Sequence, residues 1–276
     1  MKKFCYLNGK ILPTDRARIT LTNLGLLRGY GVFEYLVTYH GRLFCWSEHF
    51  ARLTNSAKQL GMKVPLASGM AADIIQKLIA KNKLPEAGIK LVLTGGPSPD
   101  GITRRPDSST FFILAGPRPH YPEKLYTHGA RVITAAYQRE FPTIKSTNYQ
   151  MALALQPRQK RARAVEILYT RDGLITECSR SNFFIFKNNT LITPKADILP
   201  GITRRIVLQF AKDKFKIEQR PLRLAELKSA SEAFLTSTDR EVMPVVKVDN
   251  LVIDSGRVGS NTRALIIAFR AYTASH

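Results

Sequence analysis

Four short stretches hold residue types that could do chemistry. Lys145 sits in "FPTIKSTNYQ", after a proline-broken strand end and before a helical pattern. A lysine partly desolvated at such a junction loses pKa and becomes a nucleophilic amine able to condense with a carbonyl. The competing reading is a solvated surface group, the commoner fate of lysine. In "TECSRSNFF", residues 176–184, Glu177 and Arg180 interrupt what otherwise reads as buried strand. "ILPGITRR", residues 198–205, places Pro200 and Gly201 ahead of a helix whose first N–H groups, those of Ile202 and Thr203, lack intrahelical partners. A phosphate fits there, and so does an ordinary turn with Thr203 as a local cap. "FLTSTDREVMPV" gathers Thr236, Ser237 and Thr238 at a strand end, either as a phosphate contact or as a hydroxyl-stabilised turn.

The elements that must position these residues follow from hydrophobic period and turn chemistry. "FCYLNGKIL" and "VFEYLVTYHGRLFCW" read as strands, the second turning at His40-Gly41 as a hairpin does. "SEHFARLTNSAKQLGM" reads as a helix with Ser47 as its N-cap, and "SGMAADIIQKLIAKNKL" as a second helix ending by Pro85. Strands "GIKLVLTGG" and "STFFILAG" follow. Three prolines in residues 117–125 mark a linker. Beyond it, strand "ARVITAAY" leads to a helical stretch that Pro157 must end or kink. Short strands then run to about residue 253, with turns at Asp172-Gly173 and Asn188-Asn189, a helix after Gly201, and a final helix "SNTRALIIAFRAYT". The expectation is two α+β domains, 1–116 and 126–276, the latter carrying Lys145, with a ligand in the cleft between them.

Composition narrows the chemistry. Hydrophobic residues make up 44% and charged residues 23% of the 276, which excludes wholesale disorder. Lys and Arg number 42 against 21 Asp and Glu, giving +21, a field that favours anionic partners or simply a solvated basic surface. Cys5, Cys45 and Cys178 are odd in number and far apart, so neither a disulfide framework nor a metal site is expected, and the setting is read as cytoplasmic. The start "MKKFCYLNGK" breaks before any signal-peptide length, and no apolar run is long enough to span a bilayer, so no membrane partner is expected. Basic runs such as "RQKRARA" invite a nucleic-acid reading, but no RNA or DNA motif accompanies them.

Taken in order and spacing, "GYGVFE", "HFARLTNSAKQL", "IKSTNYQ", "LITECSRSNFFIFKNNTLITP", "ILPGITR" and "FLTSTDREVMPV" resemble the fold-type IV pyridoxal-phosphate enzymes. These comprise D-amino acid aminotransferases, branched-chain aminotransferases and aminodeoxychorismate lyases. The resemblance implies a two-domain α+β fold with pyridoxal 5′-phosphate in the interdomain cleft. It implies that Lys145 bonds the cofactor covalently and shuttles the substrate proton, and that Glu177 faces the pyridine nitrogen and keeps it protonated. Arg52 matches the phosphate-binding arginine; Ile202, Thr203 and Thr238 match the rest of that cradle. Leu199 matches a residue packed on the cofactor ring, and Tyr149 a tyrosine that in branched-chain enzymes bonds the cofactor's O3′, though plain helix packing is its alternative. A homodimer is implied as well, with residues near Arg28 crossing to the partner.

The chain departs from its relatives where the substrate carboxylate binds. D-amino acid aminotransferases carry an arginine and a histidine after the strand matching "LVLTGG", and a tyrosine in place of Phe33; here "PSPDGITRRP" follows, with Asp100 where the arginine belongs. The branched-chain signature is incomplete too, since Cys178, Ser179, Arg180 and Ser181 replace a glycine-rich segment ending in an acid. Arg180 and Arg28 stand where family members carry small and apolar or aromatic groups, and a buried guanidinium is costly unless an anion meets it. They are therefore expected to clamp the α-carboxylate, with Arg104 and Arg105 as rivals. The expected activity is transamination of D-amino acids with 2-oxoglutarate as acceptor; branched-chain L-amino acids are the alternative, and the lyase reaction a more distant one.

Overall fold

Two sheets organise the chain, each in its own unit. The structure, a computed structural model, describes residues 3–276. Contacts group the chain up to Pro119 with Ile144–Asn148 and His276 as one unit, and His120–Thr143 with Tyr149–Ser275 as the other.

The first unit comprises β1 (Phe4–Leu7), β2 (Lys10–Pro13), α1 (Leu24–Arg28), β3 (Gly31–Tyr39), β4 (Arg42–Leu43), α2 (Trp46–Gln59), α3 (Ser68–Lys81), β5 (Ala87–Thr94) and β6 (Thr110–Pro117). Its six strands form a sheet in the order β2-β1-β6-β5-β3-β4, antiparallel throughout. The turns are legible chemistry: Asn8-Gly9 and His40-Gly41 both take positive φ at both positions, the mirror-image turn that matches strand twist. Buried α2 residues His49, Leu53, Ser56 and Ala57 fall on one stripe, which faces β3. The helix starts at Trp46 with Cys45 at the N-cap position in a left-handed conformation, so Ser47 lies inside the first turn and is not the cap.

The second unit comprises α4 (Lys124–Thr127), β7 (Ala130–Ala136), α5 (Gln150–Ala154), α6 (Gln156–Arg161), β8 (Glu166–Arg171), β9 (Leu174–Cys178), β10 (Asn182–Lys187), β11 (Thr190–Thr193), α7 (Ile202–Ala211), β12 (Lys216–Gln219), β13 (Leu222–Arg223), β14 (Glu232–Ser237), β15 (Glu241–Val248), β16 (Leu251–Val252) and α8 (Ser260–Ala274). The sheet runs β12-β11-β10-β14-β15-β7-β8-β9-β13, with β16 on β15. Pairing is mixed: β7 lies parallel to both β8 and β15, while β8, β9, β10 and β14 make antiparallel pairs. Pro157 separates α5 from α6, because it cannot donate into a continuous helix.

Lys145 does not group with the C-terminal strands as its place in the sequence suggests. By its contacts, the segment 144–148 belongs to the first unit. Ser146 bridges Val32, and Phe33 and Thr147 N–H groups donate to the Lys145 and Gly31 carbonyls at 2.9 Å each. Residues 117–125 are not a free linker either, since Pro117 closes β6 and Lys124 opens α4.

Candidate active site

In the first unit the stripe of α2 that faces β3 carries His49, Arg52 and Ser56. Glu34, buried on β3, meets two of them. Arg52 grips it through Nε to Oε2 at 2.9 Å and Nη2 to Oε1 at 2.7 Å, and His49 Nδ1 stands 3.1 Å from Oε1. Burial alone would raise the Glu34 carboxyl, but the Arg52 charge, helped by the hydrogen bonds from Arg52 and His49, overcomes it and holds the group well below the usual carboxylate range. Burial also pushes His49 below its ordinary value, against the pull of Glu34, so at neutral pH the imidazole carries no charge. Its Nε2 is buried without a hydrogen-bond partner. One turn on, Ser56 Oγ accepts the Lys145 N–H at 3.3 Å, and Lys145 Nζ lies 4.7 Å from the centre of the Phe33 ring. Lys145 is thus fixed by backbone bonds on both sides and cushioned by an aromatic face.

Because Glu34 and His49 both titrate lower in the folded state, both contribute stability at neutral pH that is lost on acidification. The loss begins as pH falls through the unfolded histidine value near 6.5 and steepens below the unfolded glutamate value near 4.3. Glu34→Gln is expected to lower unfolding free energy at pH 7 by about 3 kcal/mol, since it strands a nearly buried guanidinium. Urea titrations across pH check this: the gap between wild type and variant persists down to about pH 4.3 and narrows only below it, and a gap constant with pH contradicts it.

In the second unit Glu177 is the centre. Its Oε1 accepts from Arg139 Nε at 2.8 Å and pairs with Nη2 at 2.7 Å, while Oε2 accepts the Leu199 N–H at 2.9 Å. Asn182 Nδ2 donates to the Leu199 carbonyl at 2.9 Å, and a Cβ on Gly201 would stand 2.0 Å from Asn182 Oδ1. Only glycine fits beside that amide, which pins the turn into α7. No side chain caps α7, whose first residues Ile202 and Thr203 are buried. Asn182 pairs with Thr236 across β10 and β14, so the hydroxyl cluster of Thr236, Ser237 and Thr238 lies alongside; Thr236 Oγ1 is buried and unpartnered. Burial pushes the Tyr149 hydroxyl up to about 12, with Arg139, Glu166, Glu177 and Arg180 all close enough to act on it. It stays a neutral donor at any working pH.

Ser179, Arg180 and Ser181 converge on Glu166, buried at the start of β8. Ser179 and Ser181 hydroxyls donate to its two oxygens at 2.5 and 3.5 Å, Arg180 Nε approaches Oε1 at 3.4 Å, and the buried Arg240 Nη1 lies 3.0 Å from the same oxygen. Arg180 is not buried as expected: its side chain is 49% exposed, and Asp239 as well as Glu166 lies near enough to feel its charge. Arg28, also exposed, donates to the Leu27 carbonyl at 3.1 Å and lies by Gly101 of the altered loop. Asp100 staples that loop by accepting from Ser98, Ile102 and Thr103. Arg104 is bound to the Gly61 carbonyl, and Arg105 is exposed.

A family model described as amino-transferase class IV matches residues 31–248. The chain belongs to the class IV aminotransferases. Over 96% of its length it is 35% identical to a putative branched-chain-amino-acid aminotransferase of Methanocaldococcus jannaschii, covering 94% of that protein. It is 32% identical to the D-alanine aminotransferase of Bacillus licheniformis, across 93% of this chain and 92% of the relative. Among solved structures, the Escherichia coli branched-chain amino acid aminotransferase superposes with a TM-score of 0.92 at 25% identity, covering all of this chain and 96% of that one. A branched-chain amino acid aminotransferase from T.th., solved with pyridoxamine 5′-phosphate, gives 0.91 at 25% identity, over all of this chain and 95% of its own.

Class IV aminotransferases depend on pyridoxal 5′-phosphate. The residues of this aminotransferase fit that group. The uncapped start of α7 and the unpartnered Thr236 hydroxyl offer donors of the kind an anion takes, and Glu177 is an anion held in place by a cation. Sequence reasoning singled out Glu177 and missed Arg139, the residue that holds it. It also missed Glu34, His49, Glu166 and Arg240. The signal was available: a glutamate inside an apolar strand, as at Glu34 and Glu166, announces a buried charge whose partner must exist. Among the described residues no cluster could hold a metal ion, and no helix is long and apolar enough to cross a membrane.

Proposed function

We propose that this class IV aminotransferase transaminates D-amino acids with 2-oxoglutarate as amino acceptor, as a cytoplasmic homodimer. The observation that carries the reading is Arg180: three residues from Glu177, close to Tyr149, its side chain 49% exposed and its approach to Glu166, Nε to Oε1, a loose 3.4 Å, so that an incoming carboxylate can reach it. Glu166 has the buried Arg240 as its nearer cation at 3.0 Å, although Arg240 also faces Asp239 at 3.7 Å. Asp100, in the place of the missing trap arginine, is spent on its own loop. Exposed Leu21 and Leu26, at 81% and 59%, lie just before Arg28 and support a partner subunit there, with Arg28 as the second carboxylate contact.

In this reading Arg52, the N–H groups of Ile202 and Thr203, and Thr238 bind the cofactor's phosphate, and Leu199 packs against its ring. When bound, the cofactor supplies an electron-withdrawing ring that acidifies the amino acid's Cα–H bond. Lys145 accepts that proton on Nζ and returns it on the acceptor's side of the exchange. Glu177 would place its carboxylate at the pyridine nitrogen, and Arg139 holds that carboxylate in position. Tyr149, neutral, donates a hydrogen bond.

Arg180→Ala tests the carboxylate role. Losing one charge-assisted contact is worth roughly 1.5–3 kcal/mol, so KM for both amino acid and keto acid is expected to rise about tenfold or more with kcat little changed. An unchanged KM removes Arg180 from the site. The second reading, branched-chain L-amino acids, is favoured by Tyr149, which matches the tyrosine of branched-chain enzymes.

A further inference from the structure

Away from the residues discussed so far, the second unit has a cavity of about 420 Å³ whose polar lining is Arg131, Arg161, Arg163, Lys247, Asp249 and Asn250. Three neighbouring segments deliver the four cations. Arg131 enters β7 and lies directly across from Lys247 on the parallel strand β15, next to a register irregularity. Arg161 closes α6, and Arg163 follows in a left-handed conformation at φ 51°, its N–H donating to the Lys160 carbonyl at 3.0 Å. The Val165 N–H donates to the Arg131 carbonyl at 2.8 Å, tying this turn to the strand.

Among the described residues none of these four side chains has an ion pair or a hydrogen bond. The single carboxylate of the lining is already engaged: Asp249 accepts from Thr134 N and Oγ1 at 3.0 and 2.5 Å, and Arg158 stands 3.8 Å away. Like charges facing one another across strands are destabilising, and here they are held together by backbone bonds around one concavity. An anion relieves that repulsion.

We propose that this cavity is a binding site for a compact polyphosphate, a small molecule carrying two or more linked phosphate groups. The volume is in the range of small-ligand sites, roughly 300–1,000 Å³, and concave, unlike the broad face that a duplex or a membrane takes. Three arginines supply planar forks that match phosphate oxygens. No aromatic side chain lines the cavity, so nothing there stacks on a nucleobase. The site is separate from the carboxylate that faces the cofactor: Arg131 enters β7 at one end and Arg139, the partner of Glu177, lies past the other, with roughly 20 Å of strand between. A polyphosphate site also gives part of the +21 charge a role that transamination does not need.

The test is titration calorimetry of cofactor-loaded enzyme with inorganic tripolyphosphate at roughly 0.15 M ionic strength. The cofactor's own phosphate fills its cradle and cannot be mistaken for the new ligand. One ion is expected per chain. Arg131→Ala and Arg161→Ala, both at exposed positions, are each expected to weaken binding about tenfold, the worth of one charge-assisted contact. Both variants are expected to retain transamination. A Lys212→Ala/Lys214→Ala double variant, which removes exposed charge elsewhere in the unit, is expected to bind as wild type does. The proposal is overturned by absence of saturable binding, by equal weakening in the lysine variant, or by random-sequence duplex DNA displacing tripolyphosphate at lower phosphate concentration.

Discussion

Lys145→Ala is expected to lower kcat by at least about 10³-fold, the scale set by losing a positioned proton carrier, and to leave a protein to which borohydride no longer fixes the cofactor. The structure makes this a clean experiment. The Lys145 backbone is held by Phe33 and Ser56, and Thr147 Oγ1 donates to the Gly29 carbonyl at 2.8 Å, so the segment stays in place without the side chain. What alanine removes is the Nζ that lies over Phe33. Thermal unfolding close to wild type, together with lost turnover, separates chemistry from folding. Retained covalent labelling sinks the assignment.

Glu177→Gln comes next in size, with kcat down about 10²–10³-fold, in the range measured when one electrostatic group is removed from a reacting centre. Two effects are mixed in this variant, because the amide cannot neutralise Arg139 as the carboxylate does. Breaking such a pair destabilises the fold by about 3–5 kcal/mol when the remaining charge is buried. A second substitution separates them. In Glu177→Gln/Arg139→Gln no charge is left stranded, so stability is expected to recover while kcat stays low. If kcat recovers along with stability, Glu177 acts through packing and not through its charge.

The sequence carried the fold where local rules decide it. Asn8-Gly9, His40-Gly41 and Asp172-Gly173 all form the positive-φ turns their residues favour, and Pro157 breaks the helical stretch where it must. Residue type and motif spacing pointed to Lys145, Glu177 and the α7 turn. What could not be read was which charge answers which. Arg139 and Glu177 are 38 residues apart and meet only because β7 and β9 flank β8. Arg180 shows the opposite error: its place beside Glu177 was legible, but the presence of Glu166 on the adjacent strand, which leaves the guanidinium half-exposed, was not. Arg52 is similar, since its fork is gripped by Glu34 from another element. Long-range pairing of charges depends on register and packing, and neither is written within a ten-residue window.

The measurement that tests the central reading most directly is the first half-reaction with D-alanine, D-glutamate, L-leucine and L-glutamate supplied singly, read from the loss of the bound cofactor's visible absorbance. The two D-amino acids are expected to discharge the band, L-leucine to do so far more slowly, and 2-oxoglutarate to restore it. If L-leucine outruns both D-amino acids, the enzyme is a branched-chain aminotransferase and the carboxylate reading of Arg180 is wrong.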